Sequence, residues 1–338
     1  MSHSPVFIIA EAGVNHNGDM NIARKLIEAA ADSGADAIKF QTFKATEIVT
    51  SQAQKATYQK EASNTEESQL EMLEKLELDE SMHVELKAHC QKKSIEFLST
   101  PFDGKSLDML LEMGLSTIKI PSGEITNLPY LRHVGSMGKR IILSTGMTTL
   151  QEVKEAVQAL EKAGTSSKDI TLLHCNTQYP TPYDNANLRA METLAQAFPE
   201  CAVGYSDHTL GIECPIAATA LGATVIEKHF TLDKTMDGPD HAASISPDEL
   251  SAMVTGIRNT EKALGTGHKE PSPSEIDNIS IARRFLVASR PIIQGELFNE
   301  SNLTAKRTGC GGISPMQWDK IIGQSAPHDF QSGETITL

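Results

Sequence analysis

The sequence predicts an α/β protein whose main part is a (β/α)8 TIM barrel, and two observations indicate this fold. First, eight short apolar runs cross the 338-residue chain, and a helix-length amphipathic stretch lies between most of them. Strands that alternate with helices in this way are typical of a parallel barrel. Second, nearly every run ends on a polar or ionisable residue, and the active site of such a barrel lies at the C-terminal ends of its strands.

The short apolar runs are interpreted as the cores of buried strands. In chain order they cover residues 6–10, 37–38, 96–99, 117–118, 140–143, 170–173, 201–205 and 224–226. Helix signals stand between them. Asp19 is an N-cap candidate for the first helix and Gly34 a stop, while Ser246 and Pro247 open the last helix of the barrel.

Two segments interrupt this pattern. After the second run, the polar segment 42–67 is far longer than an ordinary βα loop, which indicates a lid or a partner contact. Towards the C-terminus, a segment rich in Gly, Pro and Ser indicates a linker. The predicted domains are therefore a catalytic barrel at 1–265, a linker at 266–282 and a small β-rich domain at 283–338.

Composition excludes several classes of partner. A net charge of −14 makes nucleic acid or an anionic membrane an unsuitable partner. No apolar run approaches the roughly 20 residues of a membrane span, and the N-terminus lacks a signal pattern, so a cytoplasmic protein is expected. The five cysteines show no CxxC spacing, which favours free thiols over disulfides or a structural zinc site.

Two histidines end the last two predicted strands. Adjacent strands lie about 4.8 Å apart, so His208 and His229 can converge on one ion. Imidazole together with oxygen ligands suits a divalent metal that keeps positions open for substrate. The alternative is that each histidine caps its strand or bonds a backbone carbonyl.

Two lysines are expected to point into the barrel. Lys39 and Gln41 are two residues apart and so share a face of their strand, and Lys119 follows the fourth strand in the same way. An inward lysine is too costly to bury without an anion. Hydroxyl groups that could complete a phosphate or carboxylate site are those of Thr100, Ser122, Ser144 and Ser206. Structural salt bridges with Glu11 or Glu124 are the alternative, and they can coexist with anion binding.

Two further residue sets bear on catalysis. Glu11 follows the first strand, where a carboxylate can act as a base or orient water. His174 and Cys175 end the sixth strand, but adjacent strand residues point to opposite faces, which argues against a Cys-His nucleophile.

Nine short strings run in order through nearly the whole chain. They are Glu11-Ala-Gly-Val-Asn-His16, Lys39-Phe-Gln41, Ser99-Thr-Pro-Phe102, Lys119-Ile-Pro-Ser-Gly-Glu124, Ser144-Thr-Gly-Met147, Tyr179-Pro-Thr-Pro182, Ser206-Asp-His208, Glu227-Lys-His229 and Gly238-Pro-Asp240. Together they resemble the N-acetylneuraminate (sialic acid) synthase family. The C-terminal segment resembles the antifreeze-like (SAF) module of that family, and Arg307 lies at the position of the arginine that reaches the substrate in that module.

The resemblance implies a metal-dependent condensation of phosphoenolpyruvate, an N-acetylated mannose-type sugar and water, which releases phosphate. It implies that His208 and His229 bind Mn²⁺ or Mg²⁺ and that Glu11 stabilises charge at C2 or orients the water. Phosphoenolpyruvate would contact Lys39, Thr100, Lys119, Ser122, Ser144 and Ser206. The sugar would contact Gln41, Glu124, Thr177, Tyr179 and Asp240, and Arg307 would reach in from the partner of a domain-swapped homodimer.

The choice of sugar rests on details of the resemblance. Asn176 and Thr177 stand in the order opposite to that of sialic acid members, whereas Phe40, another departure, faces away from the pocket and packs. Residues 41–45 and 67–78 are closer to the legionaminic acid synthase branch, whose substrate is a 6-deoxy-2,4-diacetamido sugar. The implied product is N-acetylneuraminate or N,N'-diacetyllegionaminate.

Two other functions stay open at this point. A Schiff-base aldolase would use Lys119 or Lys39 as a nucleophile. A non-catalytic carbohydrate-binding or ice-binding protein would use the C-terminal module on an inert barrel. Ionisable residues that point inward on many strands argue against the second function, since a purely structural barrel interior is apolar.

Overall fold

A computed structural model describes residues 4–50, 52–55 and 67–338. The chain divides into two compact units, Met1–Gly265 and Thr266–Leu338. Among the described residues, no helix combines the length and the apolar character needed to cross a membrane. All five cysteines lie in the described part and are free thiols, as predicted.

The first unit is the predicted barrel. Its described strands are β1 (Phe7–Gly13), β2 (Ala37–Thr42), β3 (Glu96–Pro101), β4 (Thr117–Ile120), β5 (Arg140–Ser144), β6 (Ile170–Cys175), β7 (Ala202–Asp207) and β8 (Val225–His229). All pairings between them are parallel, in the order β3-β2-β1-β8-β7-β6-β5-β4. Strand β3 also contacts β4, which closes the barrel.

Helices surround the strands. They are Met20–Asp32, Ala45–Ile48, Gln69–Glu74, Glu80–Lys93, Gly104–Glu112, Leu128–Ser136, Leu150–Ala163, Ala190–Ala197, Glu213–Ala220 and Pro247–Leu264. The predicted caps are confirmed: the Asp19 side chain accepts from the Asn21 amide, and that of Ser246 accepts from the Glu249 amide. Each cap satisfies an amide that has no partner within the helix.

The strands continue beyond the apolar runs and include the polar residues that follow them. Glu11 pairs in register with Lys39 on one side and with His229 on the other. Several site residues are preceded, two positions earlier on the same strand, by an apolar residue whose side chain also points into the barrel. This inner layer is formed by Ile9, Ala37, Leu98, Ile142, Leu173 and Val225. The polar groups therefore lie at the mouth, above an apolar floor.

The second unit has its own core. Strands β9 (Arg284–Ala288) and β10 (Leu303–Arg307) pair antiparallel, and the short helix Trp318–Ile321 follows. Its buried apolar residues are Leu286, Ala288, Ile292, Phe298, Leu303, Ile321, Ala326, Phe330 and Ile336. The segment predicted as a linker ends in the helix Ile276–Ala282, because the Gly and Pro residues that prevent regular structure stop at Pro273.

Candidate active site

The C-terminal ends of the barrel strands surround a cavity of about 390 Å³. Thirteen of the predicted site residues line it: Glu11, Lys39, Gln41, Thr100, Lys119, Ser122, Ser144, Thr177, Tyr179, Ser206, His208, His229 and Asp240. Arg307 belongs to β10 of the second unit and is exposed there. Sequence alternation along parallel strands thus brings together residues that lie far apart in the chain.

Glu124 does not line this cavity. It is the last residue of the short 3-10 helix Ser122–Glu124, and its carboxylate accepts a hydrogen bond of 2.6 Å from the Asn127 side chain. Consecutive residues of a helical turn point in different directions, so Ser122 faces the cavity and Glu124 does not.

Two lysines and two glutamates form a buried network in the cavity. The Lys39 ammonium lies 2.5 Å from one Glu11 oxygen and 3.6 Å from a Glu227 oxygen. Lys119 donates to the other Glu227 oxygen at 3.1 Å. Lysine pairs with Glu11 or Glu124 were the alternative predicted from the sequence. The pair with Glu11 is confirmed, but Glu227 takes the place of Glu124.

Glu227 was missed as a site residue. The available signal was its position two residues before His229 on β8, which places both side chains on the inward face. Its carboxylate also accepts from the Ser206 hydroxyl at 2.9 Å. Burial favours the neutral acid, but Lys119 and Lys39 outweigh it and hold the pKa of Glu227 below its ordinary value.

The second carboxylate behaves in the opposite way. Burial raises the pKa of Glu11 above its ordinary value of 4.5, although the nearby Lys39 acts against this, and the charge of Glu227 raises it further. Burial also opposes the charge of Lys39, but Glu11 and Glu227 outweigh it, so the pKa of Lys39 is raised. The network therefore holds Glu227 ionised and Lys39 protonated, and it leaves Glu11 able to exchange a proton.

Hydroxyl groups complete the cationic part of the site. Lys39 donates to the Thr100 hydroxyl at 2.8 Å. The Ser122 hydroxyl accepts from the Gly146 amide at 2.9 Å and lies 3.3 Å from the thiol of Cys175. Two lysines with hydroxyl donors in a buried cavity can bind phosphate and carboxylate groups.

The two histidines lie close together at the ends of β7 and β8, where they line the cavity. Their ring centroids lie 5.4 Å apart, and the Tyr179 ring lies 4.0 Å from that of His208. His208 Nδ1 donates to the Asn176 carbonyl, which leaves Nε2 as the acceptor. His229 Nδ1 is buried, has no hydrogen-bond partner among the described residues, and lies 3.9 Å from Asp240.

The histidine pair fits part of a catalytic metal site. Burial lowers the pKa of His208 to about 4 and that of His229 well below its ordinary value, so both rings are neutral and offer lone pairs. A backbone carbonyl that fixes the tautomer of one ring is typical of metal-binding histidines. Within the described ranges, no cluster of three His, Cys, Asp or Glu residues could hold a metal ion. Water or substrate would have to supply further ligands.

The sixth strand excludes a Cys-His dyad, as predicted. Cys175 lines the cavity, whereas His174 Nε2 donates to the Ala186 carbonyl at 2.9 Å. The two side chains point to opposite faces of β6.

One wall of the cavity is apolar. It includes Val14, Phe43, Ile48, Val49, Met72, Leu73, Leu76 and Phe102. Several of these residues come from the described part of the long segment after β2 and from the helix Gln69–Glu74 that follows it. The rest of the predicted lid, residues 51 and 56–66, lies outside the described residues.

The loop after β1 holds the loop after β8, a contact that sequence reasoning missed. The side-chain amide of Asn15 donates to the Ser244 hydroxyl at 2.9 Å, and this hydroxyl donates to the backbone carbonyl of Asp240 at 2.6 Å. Asp240 thereby reaches the cavity, and burial raises its pKa to about 6.

The barrel and its site define an enzyme, and comparison with known proteins gives its family. The NeuB family model matches residues 26–269, and the SAF domain model matches residues 283–338. The chain belongs to the NeuB family.

Similar proteins cover nearly the whole chain. It is 55% identical to the N,N'-diacetyllegionaminic acid synthase of Campylobacter jejuni over 97% of this chain and 98% of that protein. It is 46% identical to the synthase of the same name from Legionella pneumophila, over 98% and 93% of the two chains. The solved N-acetylneuraminic acid synthetase of Leptospira borgpetersenii is 40% identical, with a TM-score of 0.73 over 82% of this chain and 90% of that one.

The raised pKa of Glu11 makes a prediction about stability. The fold favours the protonated form of Glu11. Its contribution to stability is therefore fully present below pH 4.5, the ordinary pKa of a glutamate, and is lost as the pH rises through the raised pKa. Glu11→Gln cannot ionise, so it should gain stability relative to wild type between about pH 5 and about pH 8. Urea unfolding at both pH values measures this. The exposed Glu112→Gln variant is the control, and an equal change in both variants would contradict the assignment.

Proposed function

We propose that this enzyme is a nonulosonic acid synthase that condenses phosphoenolpyruvate, an N-acetylated mannose-type sugar and water. The observation that carries the proposal is the cavity of this NeuB-family barrel, which is lined by two buried lysines, several hydroxyls and two neutral histidines. The lysines and hydroxyls suit an anionic phosphate and carboxylate, and the histidines would suit a divalent metal that polarises an aldehyde when bound.

Phosphoenolpyruvate occupies the lysine side in this proposal. Lys39 and Lys119 neutralise its charges, and the hydroxyls of Thr100, Ser122, Ser144 and Ser206 donate to its oxygens. The ion pairs with Glu11 and Glu227 compensate the lysines when the site is empty. Substrate oxygens therefore replace existing partners of the lysines and do not meet unpaired charges.

The reaction proceeds by carbon–carbon bond formation. The methylene carbon of phosphoenolpyruvate attacks the aldehyde carbon of the sugar, whose oxygen takes up a proton. Water adds at C2 and loses one proton. The resulting C2 hydroxyl then loses its own proton to the departing phosphate as the bond between C2 and the phosphate oxygen breaks and the keto group forms. Glu11 lies among the lysines at this centre, and its raised pKa suits the transfer of the proton of that water.

A divalent metal, Mn²⁺ or Mg²⁺, is the proposed cofactor, held by His208 and His229. When bound, it supplies Lewis-acid polarisation of the sugar aldehyde. The neutral state of both rings and the unpartnered Nδ1 of His229 support this role.

The sugar lies between the histidines and the apolar wall. The proposed polar contacts to the sugar line this part of the cavity and are Gln41, Thr177, Tyr179 and Asp240. Glu124 is also a proposed contact, although it does not line the cavity. The apolar wall favours methyl groups over hydroxyls, because a buried hydroxyl without a partner costs about 1–3 kcal/mol. We therefore propose 2,4-diacetamido-2,4,6-trideoxymannose as the substrate, in preference to N-acetylmannosamine, with N,N'-diacetyllegionaminate as the product. The relatives named as diacetyllegionaminic acid synthases support this choice.

The alternatives have weaker support. A Schiff-base aldolase needs a neutral lysine, whereas Lys39 is ion-paired with a raised pKa and Lys119 is ion-paired with Glu227. An inert barrel would not bury four charges at its mouth.

The assembly and location of the enzyme are also proposals. The second unit places Arg307 on an exposed strand end, where it is available to another chain. We propose a domain-swapped homodimer in which Arg307 contacts the sugar bound in the partner barrel. Cytoplasmic synthesis agrees with free thiols and with a substrate made inside the cell.

Phosphate release tests the proposed reaction. The purified enzyme should release phosphate from phosphoenolpyruvate only when a suitable sugar is present, and fastest with the 2,4-diacetamido-6-deoxy sugar in a panel of N-acetylated hexoses. Lys119→Ala should raise KM for phosphoenolpyruvate about ten- to hundredfold while KM for the sugar changes little. Covalent trapping of substrate by borohydride would instead establish the aldolase.

Metal removal tests the cofactor. Treatment with EDTA should abolish synthase activity, and Mn²⁺ should restore it, because the polarisation of the aldehyde is lost with the metal. His208→Ala should remain inactive after Mn²⁺ is added. Full activity after exhaustive chelation would contradict the assignment.

Mixing two impaired variants tests the shared site. When phosphoenolpyruvate is kept well below the raised KM of Lys119→Ala, Arg307→Ala and Lys119→Ala should each show little activity alone. If Arg307 acts in the partner barrel, a mixed dimer has one site with both defects and one with neither, so activity should return on subunit exchange. Demonstrated exchange without any recovery would mean that the second unit serves its own barrel.

A further inference from the structure

A buried ion pair lies behind the histidine side of the cavity. The side chains of Asp207 and Lys228 are 0% and 1% exposed, and they contact each other directly. They alternate along β7 and β8 with residues that line the cavity, so they point towards the helix layer. No step of the proposed reaction uses either residue.

Each charge in this pair has several hydrogen-bond partners. Asp207 accepts from the Tyr205 hydroxyl at 3.0 Å and from both the amide and the hydroxyl of Thr209 at 3.0 and 3.1 Å. Lys228 donates to Asp207 and, at 2.7 Å, to the Thr209 carbonyl. The pair therefore holds the backbone of Thr209 through both its amide and its carbonyl.

The position of the pair relates it to the histidines. Asp207 and Lys228 are the last residues paired in register between β7 and β8, and the next residue of each chain is His208 or His229. Thr209, which follows His208, is tied to β8 by Lys228, and the His208 carbonyl accepts from the Thr181 amide at 2.7 Å. The backbone is thus restrained on both sides of His208.

We propose that Asp207 and Lys228 are positioning residues that set the separation of the two imidazoles and thereby the affinity of the metal site. This inference rests on the proposed metal binding by His208 and His229. Two strands joined only by their ladder would be free to spread at the end, where the ladder stops. The ion pair reinforces the last paired position, and the hydrogen bond from Lys228 to the Thr209 carbonyl continues the connection past His208.

A purely stabilising role would not explain the choice of charged residues. Replacing a buried ion pair by apolar groups of similar size is often neutral or stabilising. Charge-assisted hydrogen bonds are short and directional, so what the pair contributes is geometry. Groups behind the ligands of a metal typically change its affinity about 10- to 100-fold when they are altered.

Mn²⁺ binding to the full-length chain, measured by the loss of the free-ion electron paramagnetic resonance signal, tests the inference. The double variant Asp207→Asn, Lys228→Met removes both charges together and leaves neither unpaired. We expect it to fold with a melting temperature near that of wild type and to bind Mn²⁺ about 10- to 100-fold more weakly. The single variant Lys228→Met should be less stable than the double variant, because it leaves Asp207 unpaired.

A matched control is available at the other end of the barrel. Arg258 and Asp36 form an ion pair of 2.7 Å near the start of β1, where Asp36 also accepts from the Ile8 amide. Asp36→Asn with Arg258→Met should leave the Mn²⁺ affinity unchanged. If the double variant at Asp207 and Lys228 does not fold, Asp207→Asn with Lys228→Gln serves in its place, because it also leaves no buried charge unpaired and keeps a hydrogen-bonding group at both positions.

The outcomes separate the inference from the proposal on which it rests. Wild-type affinity in the folded double variant, or in folded Asp207→Asn with Lys228→Gln where that replaces it, would mean that the pair is only structural. This result would overturn the positioning role while the metal site stands. Failure of the wild-type protein to bind Mn²⁺ would overturn both. An equal loss of affinity in the control at Arg258 and Asp36 would also overturn the positioning role, because it would reflect general destabilisation.

Discussion

Four buried charges from four different strands meet at the mouth of the barrel, and the rest of the site depends on their mutual pairing. Glu11 on β1, Lys39 on β2, Lys119 on β4 and Glu227 on β8 would each be unacceptable alone in this environment. Together they neutralise one another and connect strands that lie across the barrel from each other. The empty site is therefore stable, and an anionic substrate can bind by exchanging partners with the lysines.

This charge network needs an apolar support. The layer of inward apolar side chains directly below the charges includes Ile9, Leu98 and Leu173. It fills the barrel interior and keeps water away from the charges on that side. Close approach of the strands also matters: a Cβ atom at Gly204 of β7 would lie 2.4 Å from the Val225 carbonyl of β8. Glycine at this position lets the two strands that carry the histidines lie side by side.

The site has two sides with different chemistry. Lysines and hydroxyls from β2 to β5 make a cationic side, whereas β7 and β8 present neutral imidazoles backed by the ion pair of Asp207 and Lys228. In the proposed reaction, the two sides bind the two substrates, so the bond forms between them. The loop after β1 contributes indirectly, since Asn15 holds the loop that carries Asp240.

The sequence by itself determined the fold and most of the cavity lining. Apolar runs alternating with amphipathic stretches specified the barrel, and the two-residue period of a strand placed Lys39, Gln41 and Lys119 on the inward face. The resemblance to a known family added loop residues such as Tyr179 and Asp240. These inferences succeeded because they depend on local order along the chain.

Only the tertiary structure decided which groups meet. Glu227 pairs with lysines more than a hundred residues away in the chain, and Glu124 turns out of the cavity towards Asn127. No sequence period encodes such distances, because they follow from the closure of the barrel and the path of its loops. The same holds for the pair of Asp207 and Lys228, whose partners are defined by the register between β7 and β8.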